Sequence, residues 1–141
     1  MTRAEPSGAG RLHAHAVVIP IGAALLIGAL VTDLLYIETL NVQWETFSIW
    51  LLTAGLIVAA VAALTLLAEA LLGRVRKISW LRFAAVAAAA LISLVNAFVH
   101  SRDAYTAVVP SGVALSAVAA VLLIAVGLCG WDLSAATDAR P

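Results

Sequence analysis

The sequence predicts an all-α membrane protein, a four-helix transmembrane bundle of up-down-up-down topology. Three observations carry this. The 141 residues are 64% apolar and only 11% charged, whereas ordinary globular domains carry about 25% charged residues. The apolar residues gather into four long runs, and these lack the period-two alternation of an outer-membrane barrel strand. A hydrocarbon core about 30 Å thick takes about 20 helical residues to cross, and a backbone in lipid without partner strands satisfies its amides only as a helix.

The first span is expected over residues 16–36. Arg3 and Arg11 precede it as a signal peptide's basic region would, but the one nearby small-x-small triplet, Ala14 to Ala16, lies before the run, so the segment reads as an uncleaved span. The second span is expected over 47–72, with Gly73 ending it ahead of a basic loop, and the third over 83–100. The fourth covers 109–131, with Pro110 in its first turn. Residues 16–131 then form the membrane domain, and 1–15 and 132–141 are tails. Short connections make neighbouring helices antiparallel. Small residues four apart mark each helix: Ala24, Gly28 and Thr32; Gly55, Ala59 and Ala63; Ala85, Ala89, Ser93 and Ala97; Gly112, Ser116 and Ala120. Such stripes let backbones approach closely in lipid, and they suit homo-oligomerisation as well as packing within one chain.

Charge sets the orientation. Of the eight Lys and Arg residues, Arg3, Arg11, Arg74, Arg76, Lys77, Arg82 and Arg140 fall on one side and Arg102 alone on the other. Cation-rich short loops stay in the cytoplasm, so both termini are expected there, with loops 37–46 and 101–108 outside the inner membrane. Arg74, Arg76, Lys77 and Arg82 are the expected topology determinants and contacts for anionic lipid. Tyr36, Trp44, Trp50 and Tyr105 fall at the outer interface, and Trp80 and Trp131 at the inner one. The net charge is zero and no basic run exists, which argues against nucleic acid as a partner. The single cysteine, Cys129, cannot form an internal disulfide and reads as a small core residue.

The run His13-Ala14-His15-Ala16-Val17-Val18-Ile19-Pro20-Ile21, followed by Thr32-Asp33-Leu34-Leu35-Tyr36, resembles the opening of the bacterial membrane family known as domain of unknown function 2231. The likeness continues at Asn96, Asp103-Ala104-Tyr105, Val109-Pro110-Ser111-Gly112 and Gly130-Trp131, and so covers nearly the whole chain. The resemblance implies a four-helix inner-membrane protein without an assigned activity. Members are often joined to, or encoded beside, Rieske iron–sulfur domains, and the family is loosely grouped with di-haem cytochrome bundles, which implies electron transfer. The chain departs from the pattern where a ligand would sit: Ala14 replaces the usual Pro, Val18 stands at the second family His, and Leu81-Arg82-Phe83 opens the third helix where members often place a His. Of the family histidines, only His13 carries over.

The chemistry-bearing residues are few. His13 and His15 precede the first span and His100 ends the third, on the order of 30 Å away along the membrane normal, so they cannot ligate one b-type haem within a monomer. Isolated histidines at an interface are expected to be solvated. Glu69 lies a turn from Gly73, where it is expected to reach Arg74, Arg76 or the headgroups. The sharper candidate is an outer polar cluster of Asp33, Asn96, His100 and Arg102. Ser93, Asn96 and His100 share one helix face, and Asp33 lies at a depth similar to that of His100, so Asp33 can accept from His100 or Asn96. No phosphate-cradling loop, nucleophile beside a base or spaced carboxylate pair appears, so no metal, resident cofactor or catalytic set is expected. The expected role is an accessory or scaffold subunit, a membrane partner of an iron–sulfur redox protein. The alternatives are a b-type haem electron-transfer protein and a small transporter or channel subunit.

Overall fold

A computed structural model describes residues 13–101 and 108–135 of the chain. Four helices account for most of them: α1 (Ala14–Thr39), α2 (Val42–Leu71), α3 (Trp80–Val99) and α4 (Ser111–Cys129). Each is long and apolar enough to cross a membrane. Helix α1 packs on α2 and α4, and α3 packs on α4 and more sparsely on α2. The bundle is therefore a ring in chain order, with α1 and α3 diagonally opposed.

The α1–α2 connection is much shorter than the expected loop over 37–46. Only Leu40 and Asn41 separate the helices. Leu40 turns the chain with a left-handed φ of 52° while its N–H donates to the Tyr36 carbonyl at 2.7 Å, and the Asn41 side chain accepts from the Gln43 N–H at 3.0 Å. These two caps satisfy helix-end groups on both sides of the turn, so the helices run on beyond the apolar stretch. Pro110 caps α4 rather than lying within its first turn.

The small-residue stripes face inward with two corrections, Ala24 of α1 and Ala63 of α2, which are exposed. On α3 and α4 the expected rows hold, since Ala89, Ser93, Gly112, Ser116 and Ala120 are all buried. On α1 the buried row is Gly22, Ala23, Leu26, Ala29, Thr32 and Asp33, while Ala24 is exposed. Helix α2 meets this row through Gly55, where an added Cβ would lie 2.6 Å from Leu26 Cδ2. Cys129 is exposed, contrary to its reading as a core residue. The buried row of α4 runs through Ser116, Ala119, Leu123 and Val126, and its helical continuation falls at 130, leaving 129 to the side.

After α4 the chain folds back beneath the bundle. Gly130 makes the turn at φ 96°, and Trp131 covers Gly127, where a Cβ would come within 2.6 Å of the indole. The following residues pair with the α2–α3 loop: Ser79 N–H donates to the Leu133 carbonyl at 2.8 Å and Ala135 N–H to the Lys77 carbonyl at 2.9 Å. Arg82 directs its guanidinium to the carbonyls of Gly130 and Ser134, while Arg74, Arg76 and Lys77 are exposed.

Two of the glycines on the α1–α2 face, Gly55 and Gly28, give a prediction of opposite signs. Gly55→Ala should destabilise the bundle by about 1–3 kcal/mol through overpacking against Leu26. Gly28→Ala, whose Cβ would meet only Leu51 at 3.5 Å, should be neutral or stabilise by about 0.4–1 kcal/mol. Unfolding in mixed micelles measures both, and equal effects would show that the Gly55 contact does not limit packing.

Candidate functional site

Two buried polar centres lie at opposite ends of the bundle. The first is built on Asp33, fully buried in the last third of α1. A carboxylate in an apolar bundle is costly unless its oxygens are hydrogen-bonded, and each of the other helices contributes to meeting that cost. Ser48 of α2 donates to Oδ1 at 2.5 Å and Ser116 of α4 donates to Oδ2 at 2.6 Å. His100, which caps α3, reaches across the diagonal to put Nε2 3.0 Å from Oδ1. Asn96 does not reach Asp33; its Nδ2 donates to Ser116 Oγ at 2.7 Å and so holds that hydroxyl toward the carboxylate.

The hydrogens of His100 follow from its neighbours. Nδ1 lies 3.1 Å from the Asn96 carbonyl oxygen, which can only accept, so Nδ1 carries a hydrogen. Nε2 then either donates to the Asp33 carboxylate or accepts from a protonated carboxyl. In both arrangements the pair shares one proton and has no net charge, the form that suits a low-dielectric interior.

The second centre lies at the end that carries the described chain termini. His15 is fully buried in the first turn of α1, with Nδ1 2.5 Å from Glu69 Oε2. The Ala14 N–H donates to Oε1 of the same carboxylate at 2.6 Å, and the Leu133 N–H donates to His15 Nε2 at 3.1 Å. Because Nε2 accepts, the hydrogen of His15 resides on Nδ1 and points at Glu69. His13 stacks on His15 with ring centroids 5.4 Å apart, and its Nδ1 lies 3.1 Å from Asp132 Oδ2. The bond to Asp132 raises the His13 pKa above its ordinary 6.5. Burial pushes the Asp132 carboxyl up, but hydrogen bonds from Ser134 and His13 outweigh this and lower it to about 2.

This second centre corrects two expectations. Glu69 is buried and turned toward α1 rather than toward Arg74, Arg76 or the headgroups, because two donors at the start of α1 lie within its reach. His15 is enclosed rather than solvated, because the returning C-terminal segment covers it. Of the outer-cluster candidates, Asp33, Asn96 and His100 lie together, and Arg102 is outside the described residues. Pro20 lies within α1, Gly112 is buried at the start of α4, and Gly130 and Trp131 form the turn beneath it. Sequence reasoning missed Ser48, Ser116 and Asp132. Ser48 had a usable signal, a hydroxyl just past a turn that begins a few residues after Asp33. Ser116 was legible only as a small residue of a stripe, and Asp132 fell in an assigned tail.

The positions also bear on haem. The 18 residues from His15 to Asp33 span about 27 Å of helix, and His100 sits at the Asp33 end with both ring nitrogens engaged. Two-histidine ligation of one haem within a chain does not fit this arrangement.

Two outcomes are expected. In a double-mutant cycle, Asp33→Asn and His100→Ala should be non-additive by about 0.6 kcal/mol or more, the scale of hydrogen-bonded pairs within membrane bundles; strict additivity would mean that the two residues act separately. The contact between His13 and Asp132 should tighten the C-terminal segment within a pH window. His13 contributes fully below 6.5 and loses its contribution as pH rises through its raised value, whereas Asp132 contributes fully above 3.8 and loses its contribution as pH falls through about 2. Exchange of the Leu133 and Ser134 amides, corrected for intrinsic base catalysis, should therefore quicken from neutral to alkaline pH. His13→Gln should abolish that dependence, and an unchanged profile in the variant would assign it elsewhere.

No curated protein and no solved structure matches the chain. A family model described as predicted membrane protein, domain of unknown function 2231, matches residues 11–139. A match over nearly the whole chain, joined to four apolar helices of spanning length, places the protein in that family of predicted membrane proteins.

Proposed function

We propose that the protein is a non-enzymatic scaffold, an accessory subunit of the inner membrane with both termini in the cytoplasm, and the membrane partner of an iron–sulfur redox protein. The observation that carries the scaffold reading is the use of the polar side chains. Asp33, His100, His15 and Glu69 each bond a different helix or segment, as cross-braces do, and their geometry presents no paired nucleophile and base to a substrate. The orientation is supported by the basic α2–α3 loop, which lies at the same end as His13 and Asp132 and, with Arg82, carries all the Lys and Arg residues among the described ones. The partner class is supported by the resemblance to a family whose members occur beside Rieske domains.

Deleting the gene and fractionating the cells tests the reading. The expected result is that an iron–sulfur protein moves from the membrane to the soluble fraction and returns when the protein is restored. Undisturbed distribution of every iron–sulfur protein would overturn the partner assignment. A Soret band of near-stoichiometric intensity in the purified protein would replace the scaffold with a haem carrier. A periplasmic signal from a C-terminal phosphatase fusion would reverse the orientation.

A further inference from the structure

The α2–α3 seam is the sparsest of the bundle's four helix contacts, and it opens into a cavity of about 490 Å³. Small and apolar side chains line it, among them Ala59, Ala63 and Leu66 of α2 and Phe83, Ala87 and Ala90 of α3. Its extent along α3, from Phe83 to Leu94, is about 16 Å at 1.5 Å per residue. That is close to half of a hydrocarbon core about 30 Å thick, the depth of one leaflet. A partner transmembrane helix would need a groove of the full depth. The wholly apolar lining and the one-leaflet length suit a hydrocarbon chain.

Beside the near end of this groove, Val75 and Ile78 of the loop that joins α2 to α3 pack in one cluster with Leu66 and Phe83. A shallow, open depression of the surface there is lined by Arg76, Lys77, Ile78, Trp80 and Ala135. Arg76 and Lys77 are exposed, and neither side chain makes an ion pair among the described residues. Trp80, an exposed aromatic at the edge of the span, contacts Phe83 edge-on with ring centroids 5.8 Å apart, which links the cationic depression to the wall of the apolar cavity. Cationic pockets at the ends of transmembrane helices suit anionic headgroups.

We propose that this seam is a binding site for one anionic phospholipid, with an acyl chain between α2 and α3 and the phosphate at Arg76 and Lys77. The length of the groove selects a chain from a single leaflet, and the two cations select the charge of the headgroup. The site needs nothing from the redox partner proposed above.

Native mass spectrometry of the full-length protein, released from mild detergent after incubation with dioleoylphosphatidylglycerol or dioleoylphosphatidylcholine, tests the site independently of membrane orientation. The wild type should retain one phosphatidylglycerol at least ten-fold more than phosphatidylcholine. R76Q/K77Q, altered only at exposed positions, should lose that preference, and A87F, which fills the groove, should retain neither lipid. A phosphatidylglycerol with a diazirine in its acyl chain should label α2 and α3 residues of the seam in the wild type, a readout that stands whether or not A87F folds. Equal retention of the two lipids, an unchanged preference in R76Q/K77Q, lipid held by folded A87F at the wild-type level, or labelling scattered over the outer faces of α1 and α4 would each overturn the proposal. So would an isoprenoid or a second copy of the chain occupying the seam.

Discussion

The buried carboxylate of Asp33 is the interaction on which the arrangement of the four helices depends. Lipid offers little hydrophobic drive to bring apolar helices together, so small-residue packing and polar contacts must specify which faces meet. Asp33 supplies that specification because its two oxygens receive partners from α2, α3 and α4 at once. Rotating any one helix away would leave a buried acceptor short of a donor, at a cost of about 1–3 kcal/mol for a neutral donor lost and more where charge is left unpaired. The centre thus selects one rotational setting for each helix, a role the alanine-rich faces fill poorly because neighbouring alanine rows are nearly equivalent.

The opposite end solves a different problem with similar residue types. There the histidine accepts a backbone N–H from Leu133, so the segment after α4 is part of the His15 environment rather than an appendage. Ser79 and Lys77 hold the same segment through backbone bonds, and Arg82 through its guanidinium. The start of α1, the α2–α3 loop and the end of α4 are thereby joined in one layer. His100 and His15 both carry a hydrogen on Nδ1, fixed in different ways: Nδ1 of His100 faces a carbonyl, whereas Nε2 of His15 accepts from an N–H.

How much of this is legible in the sequence depends on the range of the interaction. The four spans follow from composition and run length alone, because a bilayer imposes helix on any apolar segment of that length. The proximity of Asp33, Asn96 and His100 follows from counting residues along α1 and α3, which run in the same direction. Ser116 was not legible as a donor, since a hydroxyl in an alanine-rich helix has the same appearance whether it bonds its own turn or another helix, and Ser48 offered only its place just past the turn that follows Asp33. Glu69 was misread because the nearest cations in sequence, Arg74 and Arg76, lie closer along the chain than Ala14 and His15, which only the antiparallel return of α2 brings to it. Asp132 required knowing that the chain turns back at Gly130, and a glycine beside a tryptophan does not announce that turn.

Between the two polar centres lies a layer of Ala23, Leu26, Ala29, Leu52, Ala89, Ala119 and Leu123, all buried and all apolar. This apolar layer separates the two centres, and each of them joins helices at its own end of the bundle. Bracing at the two ends also explains where the bundle is loose. Helices α1 and α2 are locked by a two-residue turn, by Gly55 against Leu26 and by bonds at both ends, whereas α2 and α3 are joined by a longer loop and separated by alanines. Alanine is too short to reach across a gap that no polar contact draws closed, so the seam stays open in the stretch farthest from Asp33. Lipid is the medium that bathes that stretch, and a hydrocarbon chain fills such a gap without asking the helices to repack.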